Sequence, residues 1–130
     1  MRRHLLLPLG LAAFAAVPAH ADEAYDACME RAQTNAAFAN CGTRMLARRE
    51  LELNRVWKAA VAGLEASARS ALLAEQRLWI AYKDESCAWW RSGAFGREGQ
   101  TMHFYTCREG VIGQRIEYLH ALERAGTPEG

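Results

Sequence analysis

AEQRLWIAYKDESCAWW, residues Ala74 to Trp90, carries three tryptophans and a cysteine on what its spacing predicts to be one helix. At about 100° per residue with Gln76 as zero, Leu72 and Trp90 fall near −40°, Ile80 near +40°, Cys87 near +20° and Trp79 near −60°. That is an apolar stripe at helical period. Gln76 and Lys83 lie in its middle, so two polar groups point where a core is expected.

The pattern recurs on both sides. Around Leu53, the residues Leu46, Trp57, Ala60 and Leu64 share a face with Arg49 and Glu50, and around Arg115 lie Phe104, Val111, Ile112, Leu119 and Leu122. Almost no alternation of period two appears, and there is no repeat or low-complexity tract, so the class is all-α. The expected architecture is a small antiparallel bundle of three main helices plus a short N-terminal helix. The short helix covers Glu23 to Ala32, and Thr34 caps a long one over about Ala36 to Ala66. Ser67 caps the helix of the quoted stretch; SGAFGREGQ, Ser92 to Gln100, is a loop by its three glycines; a last helix runs from about Thr101 to Arg124.

The chain opens MRRHLLLPLGLAAFAAVPAHA: a basic start at Arg2 and Arg3, an apolar run from Leu5 to Val17, and Ala19 and Ala21 around His20. This is the pattern of a secretory signal peptide cleaved after Ala21, its apolar run too short for an anchor. Tyr25 and Asp26 before Cys28 do not suit a lipid-attachment site. One domain is expected over residues 22–130, periplasmic or secreted, with no membrane anchor after signal removal. Taking residues 1–21 from the 130 leaves 109, and the loss of Arg2 and Arg3 leaves 14 Lys and Arg against 15 Asp and Glu. A balance of −1 supports neither a nucleic-acid footprint nor a polybasic membrane patch.

Cys28, Cys41, Cys87 and Cys107 all follow the leader. An even count in an exported chain favours two disulfides. The spacings contain no C-x2-C or H-x3-H pair, so no metal is expected. Three connectivities are open, and Cys28–Cys41 with Cys87–Cys107 closes the shortest loops and suits the helical layout.

Three helices with a charge on each apolar face must pair those charges or wet them, because an unpaired buried charge costs several kcal/mol. The expectation is a core polar network in which Glu50 bridges Lys83 or Arg115, Gln76 and Asn54 complete the hydrogen bonds, and Asp84 lies beside Lys83. The competing reading is a groove open to a ligand.

These residues carry a resemblance. Leu53-Asn54 with Trp57, then Gln76-Arg77, Trp79, Tyr82-Lys83-Asp84 and Cys87, then Cys107 with Arg115 and Leu119, resemble the LprI-type lysozyme inhibitor family over roughly Cys28 to Leu122. Lys83 stands where that family usually has Arg, Glu50 where it has Asp, and Ile112 where Thr is common; Lys lacks the bidentate fork of Arg. The resemblance implies a disulfide-stabilised helical binding protein that inhibits a lysozyme by occlusion. A non-inhibitory structural or assembly partner of another envelope protein is the alternative.

An inserted loop is the natural inhibitory device. In Ser92 to Gln100, Phe95 is the apolar anchor and Arg97 the group that would face catalytic carboxylates; the competing reading is a plain flexible connector. Trp89, off the core face of its helix, serves either as an interface anchor or as packing for the first helix. Gly110 and Gly113 on the last helix either admit a close neighbour or let the helix bend. No enzyme and no cofactor are expected: His103 and His120 have no serine or free cysteine nearby, and Glu117 with His120 is a single Glu-x-x-His pair. GAFGREG matches no phosphate loop.

Overall fold

The computed structural model describes residues 22–126; the expected leader and the final TPEG lie outside the described residues. Four helices follow one another: α1 (Glu23–Arg31), α2 (Asn35–Ala62), α3 (Ala66–Glu85) and α4 (Phe104–Gly126). Between α3 and α4 come a 3-10 turn at Ala88–Arg91, one helical turn at Gly96–Glu98 and a π-helical turn at Gly99–His103. No strand occurs among the described residues.

The starts of α1 and α2 follow ordinary capping chemistry. The Asp22 carboxylate accepts from the Tyr25 amide at 2.9 Å, and Thr34 Oγ1 accepts from the Ala37 amide at 3.1 Å. The other boundaries differ from the sequence reading. α2 stops at Ala62, four residues early, because Gly63 supplies the C-cap and Leu64 folds back over the core. Ser67 is inside α3; the residue at its N-cap is Glu65, which makes no side-chain cap.

α3 also ends early, at Glu85, so the quoted stretch is not one helix. Ser86 turns extended, and Cys87 takes φ 68, the one left-handed non-glycine among the described residues. The reason is the tether: Cys87 bonds to Cys107 on α4, with Cα atoms 6.0 Å apart. Arg108 then donates to the carbonyls of Asp84 and Ser86 at 2.7 and 2.9 Å, closing the C-terminus of α3. The other bridge, Cys28–Cys41, ties α1 to the first turns of α2 with Cα atoms 5.7 Å apart.

The core has two parts. Leu53, Val56, Ala60, Leu72, Ile112, Ile116 and Leu119 fill the middle, while Met45, Cys87, Phe104 and Tyr105 fill the end near α1, with Tyr25 and Trp90 against them. α2 and α4 form the central pair. α3 buries only Leu72 and Gln76, and Leu73, Leu78, Ile80 and Tyr82 stay exposed along it.

Gly42 records how close that central pair is. A Cβ there would overlap the ring of buried Tyr105 on α4. Alanine gains about 1 kcal/mol of helix propensity over glycine, whereas overpacking a core costs about 1–3 kcal/mol. The clash with a ring that has nowhere to go wins. Gly42→Ala is therefore expected to destabilise, by up to about 2 kcal/mol in urea unfolding; a stabilised variant would show that α2 and α4 sit farther apart.

Candidate functional site

The segment expected to be a loop is instead a set of tight turns carrying an aromatic cluster. Gly93 and Gly96 take φ 93 and 61, conformations that side-chain-bearing residues resist, and a Cβ on Gly99 would come within 2.6 Å of Phe95 Cβ and 2.7 Å of the Trp90 carbonyl. The glycines thus draw the chain together. They do not loosen it.

Trp89 stacks on Trp90 at 4.3 Å with 25° between planes, and Trp90 stacks in turn on His103 at 4.6 Å and 29°. Phe95 meets both tryptophans edge-on, at 5.1 and 4.7 Å. Trp90 is the half-buried ring; Trp89 is 54 % and Phe95 44 % exposed. The base is fixed by the Cys87–Cys107 bridge and by the Phe104 ring, which Arg91 and Arg108 cover at 4.0 and 4.6 Å. Thr101, buried, donates to the Arg97 carbonyl at 2.7 Å. Arg97 itself is exposed and makes no ion pair among the described residues, while Glu98 lies 3.6 Å from His103 Nε2. Trp89 and Phe95 thus stand together at the α3–α4 end of the bundle, with Arg97 two residues further along the same turn.

The polar residues of the helical faces fall into two groups. Lys83 Nζ reaches Glu50 at 3.2 Å and Asp84 at 3.3 Å. Together with Leu53, Asn54, Gln76, Trp79 and Ile80, Lys83 and Glu50 line a cleft of about 160 Å³ between α2 and α3. Asn54 is exposed there and is not among the partners of Gln76. Arg115 does not meet Glu50. Its Nε donates to Gln76 Oε1 at 2.9 Å and its Nη1 bonds Glu75, while the guanidinium lies over the rings of Trp79 and Tyr118. Nη2 is buried with no protein hydrogen-bond partner, and Ile112, one turn below, offers none.

Glu75 was outside the expected set because it falls about 100° from Gln76, off the apolar stripe. The length of the arginine side chain brings it in. Glu50 is half exposed and shares Lys83 with Asp84, so it is the replaceable member. Glu50→Ala is expected to lower stability by less than about 1 kcal/mol, as for exposed pairs. A loss near 3 kcal/mol in chemical denaturation would put Glu50 in a buried network after all.

A third polar feature is signalled in the sequence only by Arg49 on the apolar face of α2. Asp22, Glu23, Arg48, Arg49, Glu52 and Glu109 line a cleft of about 420 Å³ where α1, α2 and α4 meet. Arg48 holds Asp22 at 2.8 Å. Burial pushes the Asp22 carboxyl up, but Arg48 and the Tyr25 and Ala24 amides outweigh it and hold the group below its ordinary range. Arg49 lies between Glu52 and Glu109, with Nε 2.8 Å from Glu109 yet off the line of a hydrogen bond. Its guanidinium passes over Gly113, where a Cβ would sit 2.8 Å from Nη2. Gly113 thus admits a neighbour, whereas Gly110 faces open space.

A family model described as lysozyme inhibitor LprI matches residues 26–119. The chain belongs to the LprI family. The match takes in both disulfides, the two polar groups and the whole aromatic segment of this LprI chain. The searches of curated proteins and of solved structures find no match. No group of three or more His, Cys, Asp or Glu able to hold a metal ion occurs among the described residues. Nor is any helix among them long and apolar enough to cross a membrane.

Proposed function

We propose that this LprI-family chain is an exported inhibitor that blocks a lysozyme by seating the Trp89–Phe95 end in the enzyme's glycan cleft. One observation carries the reading: within the family match, two large aromatic side chains stand exposed on a base locked by a disulfide. Exposed aromatics are the usual anchors of protein interfaces, and a fixed base lowers the ordering cost of binding. Glycoside hydrolases act through a pair of carboxylates beside the scissile bond. Arg97, exposed and unpaired beside Phe95, is the group placed to meet them.

Charge distribution supports the same reading better than net charge does. Glu23, Asp26 and Glu30 are all exposed on α1 at spacings that put them on one side of the helix, next to the cleft holding Glu52 and Glu109. Such an acidic face steers a basic enzyme into encounter even when the total is near zero. The basic, apolar start of the chain and its paired cysteines support a location in the periplasm or outside the cell. Cell-wall lysis assays with lysozymes of several types test the proposal. Saturable inhibition near one-to-one is expected for at least one type, and full activity of all of them at micromolar excess would leave the assembly-partner role in its place.

A further inference from the structure

The cleft of about 160 Å³ between α2 and α3 holds polar groups that the fold leaves unsatisfied. Gln76 is the decisive side chain. It is only 8 % exposed, and its Oε1 accepts from Arg115 Nε at 2.9 Å. A guanidinium only donates, so the amide has to turn its oxygen to Arg115 and its NH2 away from it. That nitrogen has no hydrogen-bond partner among the described residues, yet it is not one of the polar atoms sealed from solvent. Its N–H groups therefore open into the cleft that Gln76 lines. A side chain this buried is normally satisfied by the protein itself. Free donors at such a place call for an acceptor from outside.

The other lining groups narrow the chemistry. Lys83 Nζ lies 3.2 Å from Glu50 Oε1 and 3.3 Å from Asp84, so its charge is matched within the protein and the cleft asks for no net charge in its ligand. Glu50 gives Oε1 to Lys83, which leaves its second carboxylate oxygen as an acceptor at the same cleft. Leu53, Ile80 and the Trp79 ring supply the apolar part of the lining. A fixed donor, a fixed acceptor and an apolar wall together match a secondary amide. A carboxylate would meet Glu50 as a like charge, and an ammonium would leave the Gln76 donors unmet. The volume lies below the roughly 300 Å³ at which drug-sized sites begin, so one small residue enters and a chain does not.

We propose that this cleft binds a small neutral ligand through a secondary amide with a short acyl group, as carried by an N-acetylated sugar residue or an acylated amino acid. Gln76 donates to the amide oxygen, Glu50 accepts from the amide N–H, and the acyl group lies against Leu53, Trp79 and Ile80. Asn54, exposed at the same cleft, meets the polar remainder of the ligand. A ligand of this size binds in roughly the millimolar range. The site is separate from the Trp89–Phe95 end and does not rest on lysozyme inhibition.

Titration of the disulfide-intact protein from residue 22 onward with N-acetylglucosamine and with N-acetylalaninamide, to about 100 mM, followed by proton–nitrogen NMR, tests it. With at least one compound the Gln76 side-chain NH2 and the Trp79 indole N–H should shift saturably while the Trp89 indole stays still; glucose and acetate should shift neither. The compound that binds assigns the source as sugar or acylated amino acid. Gln76→Glu keeps an acceptor for Arg115 but removes the donors, so the thermal midpoint should hold while binding weakens at least about tenfold. Glu50→Ala, at a half-exposed position, should weaken it at least about fivefold in a folded protein. Absence of saturable shifts with both compounds overturns the proposal. So does binding of glucose or acetate equal to that of the amides, or full binding by either Gln76→Glu or Glu50→Ala.

Discussion

Replacing Trp89 and Phe95 together by alanine is expected to weaken inhibition of a susceptible lysozyme by at least about 100-fold, while the thermal midpoint moves by only a few degrees. The size follows from hot-spot energetics: two central aromatic anchors at about 2 kcal/mol or more each exceed the 2.7 kcal/mol that a 100-fold change requires. The small stability effect follows from exposure, since Trp89 and Phe95 are the outer members of the cluster and Trp90 keeps its place on His103. Arg97→Ala alone should cost about tenfold, chiefly in dissociation rate, because its charge is proposed to be desolvated only in the complex. Titration of lysozyme activity with each variant, next to a thermal melt, gives both quantities. Full potency in the double variant would remove this end of the bundle from the interface and turn attention to the acidic face of α1.

What could be read beforehand was the part of the fold that periodicity and counting determine. The four helices, the order of the core positions from Leu53 to Leu119 and both disulfides follow from apolar spacing, cap residues and the number and context of the cysteines. What could not be read depends on where helices cross. Cys87 looked like one more core residue at helical phase, but its bridge to Cys107 forces a left-handed turn and ends α3 two residues before it. That break takes Trp89 and Trp90 off the helical wheel and stacks them. The glycines at 93, 96 and 99 read as looseness by composition, yet each serves a turn or a close approach. Arg49 is legible as a charge on the apolar face of α2, but its partners and the role of Arg48 are not, because those partners come from the start of α1, from their own helix and from α4.

The polar core shows the same division between residue type and geometry, and it sets the second large effect. A buried charge among the helical faces was legible; its partner was not. Arg115 is 6 % exposed and held by Glu75 and Gln76, so the costly deletion is of this group and not of Glu50. Glu75→Ala is expected to destabilise by about 1–2 kcal/mol: the carboxylate is itself half exposed, but its loss leaves a buried guanidinium with only a neutral amide and two ring faces. Arg115→Ala should cost about 3–5 kcal/mol, because it adds a cavity beside Leu119 and strands the Gln76 amide. In a domain of this size 3 kcal/mol corresponds to more than about 10 °C of midpoint. The joint replacement Arg115→Met with Gln76→Leu separates charge from volume. It fills the space with apolar atoms and leaves only the half-exposed Glu75 carboxylate to be solvated by water, so its stability should return to within about 1 kcal/mol of the wild type. Urea unfolding of the three variants measures this directly. A joint variant as unstable as Arg115→Ala would mean that the guanidinium is held by more than Glu75 and Gln76, and a Glu75→Ala loss below about 1 kcal/mol would mean that water reaches Arg115 once the carboxylate is gone.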